Sequence, residues 1–242
     1  MKNLIRTLAI ALAAASLVSC LESDDAILRG ETSIAEIQNG RLVTDMGNIY
    51  NVTTLNSEKA LPSSGRVYIL GDVLNKTVGG QDNEYDYSLL SWAEVSVAKA
   101  LTHDEILSLS HDPGKDPVYV ESGWFSGGYA NLSIITFEKS ESPATHYLDV
   151  EIDETRTSSD TLALVIRHNS QGENDLKTSE LSSKASLISI PIEKYIDSQK
   201  KKIVCAIKYK WLATNLSGLN DCKDYEVTGV AEKASYVQES IR

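Results

Sequence analysis

The sequence predicts an all-β protein, an OB-like barrel followed by a β-sandwich. Three observations lead there. Beyond residue 33, apolar residues come in short runs that alternate with polar ones, the period of a half-buried strand rather than of a helix. The runs are separated by Gly, Asn and Asp clusters such as Asp45-Met46-Gly47 and Val78-Gly79-Gly80-Gln81-Asp82-Asn83-Glu84. One stretch, Thr102 to Pro117, breaks the pattern and divides the chain into an earlier and a later set of strands.

The N-terminus reads as an address. Lys2 and Arg6 precede an uncharged run from Thr7 to Ser19 and then Cys20, the order of a secretory signal. The apolar part, Leu8 to Val18, is shorter than the about 20 residues a membrane span needs. It is soon followed by Glu22, Asp24 and Asp25, so it predicts export rather than spanning. Leu17-Val18-Ser19-Cys20 resembles the bacterial lipobox, which implies a lipoprotein signal peptide over residues 1–19 and a lipid on Cys20. A single acyl chain anchors weakly, whereas the three-chain modification of lipobox proteins suffices. Residues 20–33 are then an acidic tether. Its Leu21-Glu22-Ser23-Asp24-Asp25 is similar to the signals that send lipoproteins of the Bacteroidetes to the outer face of the outer membrane, and it reads equally as a solvated spacer. The expected location is the outer membrane, facing outward or toward the periplasm.

Composition narrows the partners. The formal net charge is −11, and removing residues 1–19 with Lys2 and Arg6 makes it −13. Nucleic-acid binding draws on clustered Lys and Arg, and the one dense cluster is Lys200-Lys201-Lys202, which reads as an exposed turn or strand edge. No nucleic-acid partner is expected; the partners are the membrane, through the lipid, and a protein or glycan that the sequence does not name. With Cys20 lipidated, Cys205 and Cys222 remain, an even pair in a compartment that permits a disulfide. A bridge between them and two separate buried thiols are both compatible with that count.

In order, the expected barrel spans residues 34–101. Gly40–Thr44 and Asn48–Val52 form a hairpin around Asp45-Met46-Gly47, Gly65–Leu74 and Tyr85–Leu90 form a second pair, and Glu94–Ala100 adds a fifth strand. Five short strands suit closure, which removes exposed edges. Residues 102–116 read as a short helical linker: Thr102-His103-Asp104-Glu105 is a capping-box pattern, Ile106, Leu107 and Leu109 give a brief apolar face, and His111-Asp112-Pro113-Gly114 stops it. The sandwich, residues 117–235, is expected from seven alternating runs, Pro117–Val120, Tyr129–Phe137, His146–Ile152, Leu162–His168, Ala185–Pro191, Lys202–Tyr209 and Lys223–Val230.

Lipobox, acidic tether, small barrel and short helical link are followed by Asp116-Pro117-Val118-Tyr119-Val120 and Trp124-Phe125-Ser126-Gly127-Gly128-Tyr129-Ala130-Asn131-Leu132. That order resembles the NigD-like lipoproteins of the Bacteroidetes, as does Leu162-Ala163-Leu164-Val165-Ile166-Arg167-His168-Asn169 running into Gly172-Glu173-Asn174-Asp175. The resemblance implies an N-terminal OB domain with a C-terminal β-sandwich. It also implies an accessory or immunity-type lipoprotein associated with bacteriocin production, and it carries over no catalytic residue. The hydroxyl-rich Thr155–Thr161 and polar Asp175–Lys184 segments depart from the family pattern.

Residue chemistry points the same way. His103, His111, His146 and His168 are scattered, without the spacing of a metal-binding motif. Gly123-Trp124-Phe125-Ser126-Gly127-Gly128 lacks the pattern of a nucleophile elbow. Asp82, Glu84 and Asp86 read as turn acids whose spacing misses the calcium-loop pattern, and His168-Asn169 reads as a strand end that satisfies turn backbone groups. No catalytic residue, metal or cofactor is expected. Trp124, Phe125, Tyr129 and Tyr147 form the one group with ligand-binding potential, since flat rings offer contact area, though such rings also cap sandwich cores. The reading is a non-enzymatic, lipid-anchored binding protein of the envelope. Two alternatives stay open: a surface glycan-binding lipoprotein using the Trp124 region, and a hydrolase whose site is assembled from distant residues.

Overall fold

The computed structural model describes residues 27–141, 144–173, 181–199, 202–212 and 222–232. Cys20, the signal peptide and the start of the tether lie outside them. The described residues fall in two compact units divided between Val95 and Ser96. Almost all of their regular structure is strand, so the all-β class holds. Among them no helix is long and apolar enough to cross a membrane.

The first unit contains β1 (Leu28–Gln38), β2 (Arg41–Thr44), β3 (Ile49–Leu55), β4 (Gly65–Lys76) and β5 (Glu84–Val97). β1 pairs antiparallel with β2 and β4, β2 with β3, and β4 with β5. A parallel pairing of β3 with β5 then closes the ring. This is the closed sheet that an OB-like barrel requires, and it leaves no strand edge within the ring. β1 and β2 are joined through Asn39 (φ 52°) and Gly40 (φ 77°), two left-handed residues between the paired Gln38 and Arg41. A tight hairpin needs that conformation, and Asn-Gly supplies it at low cost. β1 begins inside the segment expected as tether, and the expected strands Tyr85–Leu90 and Glu94–Ala100 are one long strand, β5, up to Val97.

The ring is filled by side chains. Tyr50 and Tyr87 stack at 4.5 Å with rings 2° from parallel. Ala35, Ile37, Leu42, Val67, Ile69, Val73 and Leu89 pack around them. β4 can pass over Tyr87 only because residue 71 has no side chain: a Cβ on Gly71 would lie 2.3 Å from the Ser88 carbonyl and 2.6 Å from the Tyr87 ring. The ladder bulges at that point, between Leu70 and Gly71. At the start of β4, Arg66 donates from Nη2 to both carboxylate oxygens of Asp45 at 2.9 Å. Both side chains are buried, at 3% and 6% exposure.

In the second unit one sheet runs β7 (Tyr119–Ser126), β8 (Tyr129–Lys139), β11 (Leu181–Pro191) and the last residues of β5, Ser96 and Val97, which pair in parallel with Ile188 and Ser189. The other sheet runs β6 (Ala100–Leu101), β9 (Tyr147–Ile152), β10 (Thr161–Asn169), β12 (Lys202–Leu212) and β13 (Cys222–Glu232). One core joins their facing sides, with Val120, Leu132, Ile134 and Ile190 from the first and Val150, Leu162, Leu164 and Ile207 from the second. All seven strands expected of the sandwich are present. Residues 96–101 belong to this unit rather than to the barrel. Of the expected helical linker only α1 (His103–Leu107) is helical; Thr102 accepts from the N–H of Glu105, whose carboxylate accepts in return from the N–H of Thr102.

The buried pair of the first unit generates a stability prediction. Asp45→Ala removes the carboxylate opposite a buried guanidinium and should cost about 3–5 kcal/mol. A urea melt followed by Tyr fluorescence should show the midpoint fall without a matching change in slope; an unchanged midpoint would show the pair to be dispensable.

Candidate functional site

The outer face of the five-stranded sheet is rich in charged residues, and its composition follows from strand period. Val150 and Ile152 of β9, Leu164 and Ile166 of β10, and Ile203, Cys205 and Ile207 of β12 point into the core. Their neighbours Tyr147, Asp149, Glu151, Val165, Arg167, Lys208 and Lys210 therefore face outward. Register then sets which charges meet: Arg167 lies opposite Asp149, Val165 opposite Glu151, and Lys208 opposite Glu226.

Glu151 is the hub. Its Oε2 accepts from Nε of Arg167 at 2.6 Å and also contacts the Arg167 Nη2, while Oε1 lies 2.8 Å from Nδ1 of His103 in α1. Burial is the largest influence on this carboxyl and opposes ionisation, but the bonds from His103 and Arg167 outweigh it and hold Glu151 below the ordinary range. Beside it, Nε2 of His111 lies 2.8 Å from Asp149, and the His111 ring stacks on Tyr147 at 4.1 Å. Arg156 binds Glu226 at 2.6 Å and Lys208 approaches Asp224 at 3.7 Å. Two shallow clefts share Asp153, Val165 and Arg167: one of about 430 Å³ reaches His103 and Thr155, and one of about 220 Å³ reaches Lys115, Lys208 and Lys210. Thr155 donates its hydroxyl to Asp153 at 2.6 Å, the chief reason that Asp153 sits below its ordinary value. The face therefore offers fixed charges of both signs, each carboxylate already holding a cation or a donor.

The residues singled out in the sequence are not brought together. Phe125 packs against the core, its ring so close over Gly229 that a Cβ there would come within 2.4 Å. Trp124, the next residue on the same strand, points to the other face. Tyr129 flanks the turn at Gly127 and Gly128. Tyr147 lies on the opposite sheet beside His111. The four rings are thus not one platform, because adjacent strand residues cannot share a face. A different aromatic set does come together: Trp211 lies 4.9 Å from Tyr119 and 5.9 Å from Phe137, and Tyr209 lies 5.8 Å from Tyr225. The alternation Lys208-Tyr209-Lys210-Trp211 was its signal.

Cys205 is a free, buried thiol. It lies opposite Gly229, whereas Cys222 lies opposite Leu212, several residues away along β13. Of the two readings that the cysteine count left open, the register is compatible with separate thiols, since it sets the two backbones several residues apart along the paired strands. Ser126 accepts from Asn131, which accepts in turn from Ser189, a hydrogen-bonded bracket between β7, β8 and β11. In the first unit Glu84 accepts from Asn51 at 2.9 Å and from the N–H of Gln81, and Asp86 accepts from Thr77 at 2.8 Å. Among the described residues no group of three His, Cys, Asp or Glu gathers as metal ligands would.

Residues 102–226, which contain this face, match the family described as the NigD-like C-terminal beta sandwich domain. No curated protein matches. Among solved structures, a NigD-like immunity protein from Bacteroides caccae ATCC 43185 is similar at 18% identity and a TM-score of 0.57, over 84% of this chain and 97% of that one. A protein of unknown function from Bacteroides vulgatus ATCC 8482 is similar at 20% identity and 0.56, over 84% and 90%. A protein provisionally described as a lipoprotein from Bacteroides fragilis NCTC 9343 is similar at 15% identity and 0.56, over 85% and 98%. At these identities the likeness is one of fold.

Two outcomes are expected. Glu151→Gln should destabilise the second unit by about 1–2 kcal/mol, since charge-assisted bonds to partly exposed partners are lost. The depressed Glu151 carboxyl contributes stability above about pH 4.3, lost as pH falls through its lower folded value, so the variant should also have a shallower acid limb in thermal melts. Burial pushes the Cys205 thiol up to about 12, so folded protein at pH 8 should leave Cys205 unalkylated by iodoacetamide, as peptide mass mapping would show; rapid labelling would contradict the packing.

Proposed function

The chain belongs to the NigD-like family, and on that premise we propose that it is a lipid-anchored envelope protein of the accessory or immunity type, which binds a partner and carries out no chemistry of its own. The likeness to an immunity protein of the same family over both units supports the role. The lipobox at Cys20 and the fold shared with a provisional lipoprotein support the anchor. In this reading the protein sits in the outer membrane and its partner is a protein.

The observation that carries the binding role is the outer face of β9, β10 and β12. It lies within the matched domain and presents Asp149, Glu151, Arg167, Lys208 and Lys210, most of them held in cross-strand pairs or by residues 103–111. Fixed charges of mixed sign are suited to a partner of complementary pattern, where they set orientation and association rate more than raw affinity. Carboxylates whose oxygens are already taken by Arg or His side chains are poorly placed to act as general bases.

Cys20→Ala separates anchoring from folding. The variant should appear in the soluble fraction of lysed cells, while the unaltered protein sediments with membranes and is released by detergent. A variant still found in the detergent-extracted membrane pool would rule out the lipid anchor. Protease treatment of intact cells reads orientation, outward display predicting cleavage without lysis.

A further inference from the structure

The smaller of the two clefts lies where residues 114–118 run past β10 and β12. Two backbone bonds hold the segment there: the Asp116 N–H donates to the His168 carbonyl at 2.8 Å, and the Val118 N–H to the Lys210 carbonyl at 2.9 Å. Gly114, at φ 72°, lets the segment come close to β10, since a Cβ there would lie 2.4 Å from the His168 carbonyl oxygen and 2.7 Å from the Asn169 Cβ. Lys115 follows at once and lines the cleft from this side. Lys208 and Lys210, two positions apart on β12, line it from the sheet.

Each carboxylate of this cleft already has a donor or a cation. Asp116 accepts from the N–H and the hydroxyl of Ser170 at 2.8 and 2.7 Å. Asp153 accepts from the N–H and the hydroxyl of Thr155 at 3.1 and 2.6 Å. Asp224 lies opposite Lys210 in the ladder but approaches Lys208 instead, at 3.7 Å. Of the cations, Arg167 is held by Glu151. Lys115 and Lys210 are left: among the described residues neither ammonium has an ion pair or a hydrogen bond, and Lys210 is half-buried. An ammonium has three donors and no acceptor, and withdrawing one from water without an anion is costly. The unmet hydrogen-bonding capacity of the cleft is therefore donor capacity, and what completes it is an anion.

On the reading that the partner is a protein, we infer that this cleft seats one carboxylate of an acidic segment on it, held between Lys115 and Lys210 with Lys208 beside them. Charge selects the class of anion. Four cations and three carboxylates line the cleft, a surplus of one positive charge. A carboxylate neutralises that surplus, whereas a phosphate group of charge about −1.5 to −2 exceeds it and meets Asp116, Asp153 and Asp224. Donor type agrees, because lysines present separate point charges and not the planar fork with which arginine grips a phosphate. So does size. A volume of about 220 Å³ is below the about 300–1,000 Å³ of small-molecule sites, yet it takes the end of one acidic side chain with a few waters of about 30 Å³ each. The net charge of −11 does not repel such a segment from the cleft, since acids more than about 8 Å away are largely screened at physiological ionic strength.

Amide chemical shifts of the full mature chain, made with Cys20→Ala so that it stays in solution, test the seat. The probes are an acetylated and amidated tetraglutamate peptide, its tetraglutamine counterpart and inorganic phosphate. Tetraglutamate should shift the amides of residues 115–118 and 208–210 saturably, with a Kd on the order of 1–10 mM, and should bind severalfold more weakly as salt rises from about 0.1 to 1 M. Lys115→Gln and Lys210→Gln should each weaken it about tenfold, the loss of one charge-assisted bond. Neither lysine has a partner among the described residues to leave behind, so both variants should melt as the unaltered protein does. Lys202→Gln removes the same charge about 20 Å along β12 and should leave the affinity unchanged. No saturable shift at these residues, equal binding of tetraglutamine, tighter binding of phosphate, or an equal loss in Lys202→Gln would each overturn the inference, as would a dimer of the chain that Lys210→Gln dissociates. The protein-binding reading fails separately: shifts as expected from a chain that retains no protein from envelope extracts would remove that reading and leave the seat. A retained partner indifferent to both Lys115→Gln and Lys210→Gln would remove the seat and leave the reading.

Discussion

The register between β9 and β10 is the constraint on which the second unit depends. Val150 faces Ile166 and Ile152 faces Leu164 on the core side, and the same pairing places Arg167 against Asp149 outside. A slip of β9 by one residue would turn Asp149 and Glu151 into the core and bring Val150 and Ile152 to the surface, an exchange that no pairing of charges could offset. The apolar side thus specifies the polar side. The charged face comes with that register as much as the core does, and its ion pairs inherit their geometry from strands that packing already holds.

That dependence explains what the sequence could and could not disclose. Alternation is local, so the seven strands of the sandwich are legible from residues a few positions apart. β1 was not legible from alternation because Arg29, Gly30, Glu31, Thr32 and Ser33 give it no apolar period, although Asn39-Gly40 marked the hairpin that follows it. β5 reads as two strands because Ser91 and Trp92 interrupt its apolar pattern where its pairing with β4 shifts. The expected five strands of the barrel agree in number with the observed five only because one missed strand offsets one divided strand.

The site was less legible than the fold, and for the same reason. Glu151 meets His103 and Arg167, 48 and 16 positions away in sequence; His146 meets Glu173 across 27 and His168 across 22. Scattered histidines are a sound argument against a metal motif, yet they carry no information about pairings that only register creates. Phe125 shows the converse. Its neighbour Trp124 makes the sequence look like an aromatic patch, but strand period sends the two rings to opposite sides.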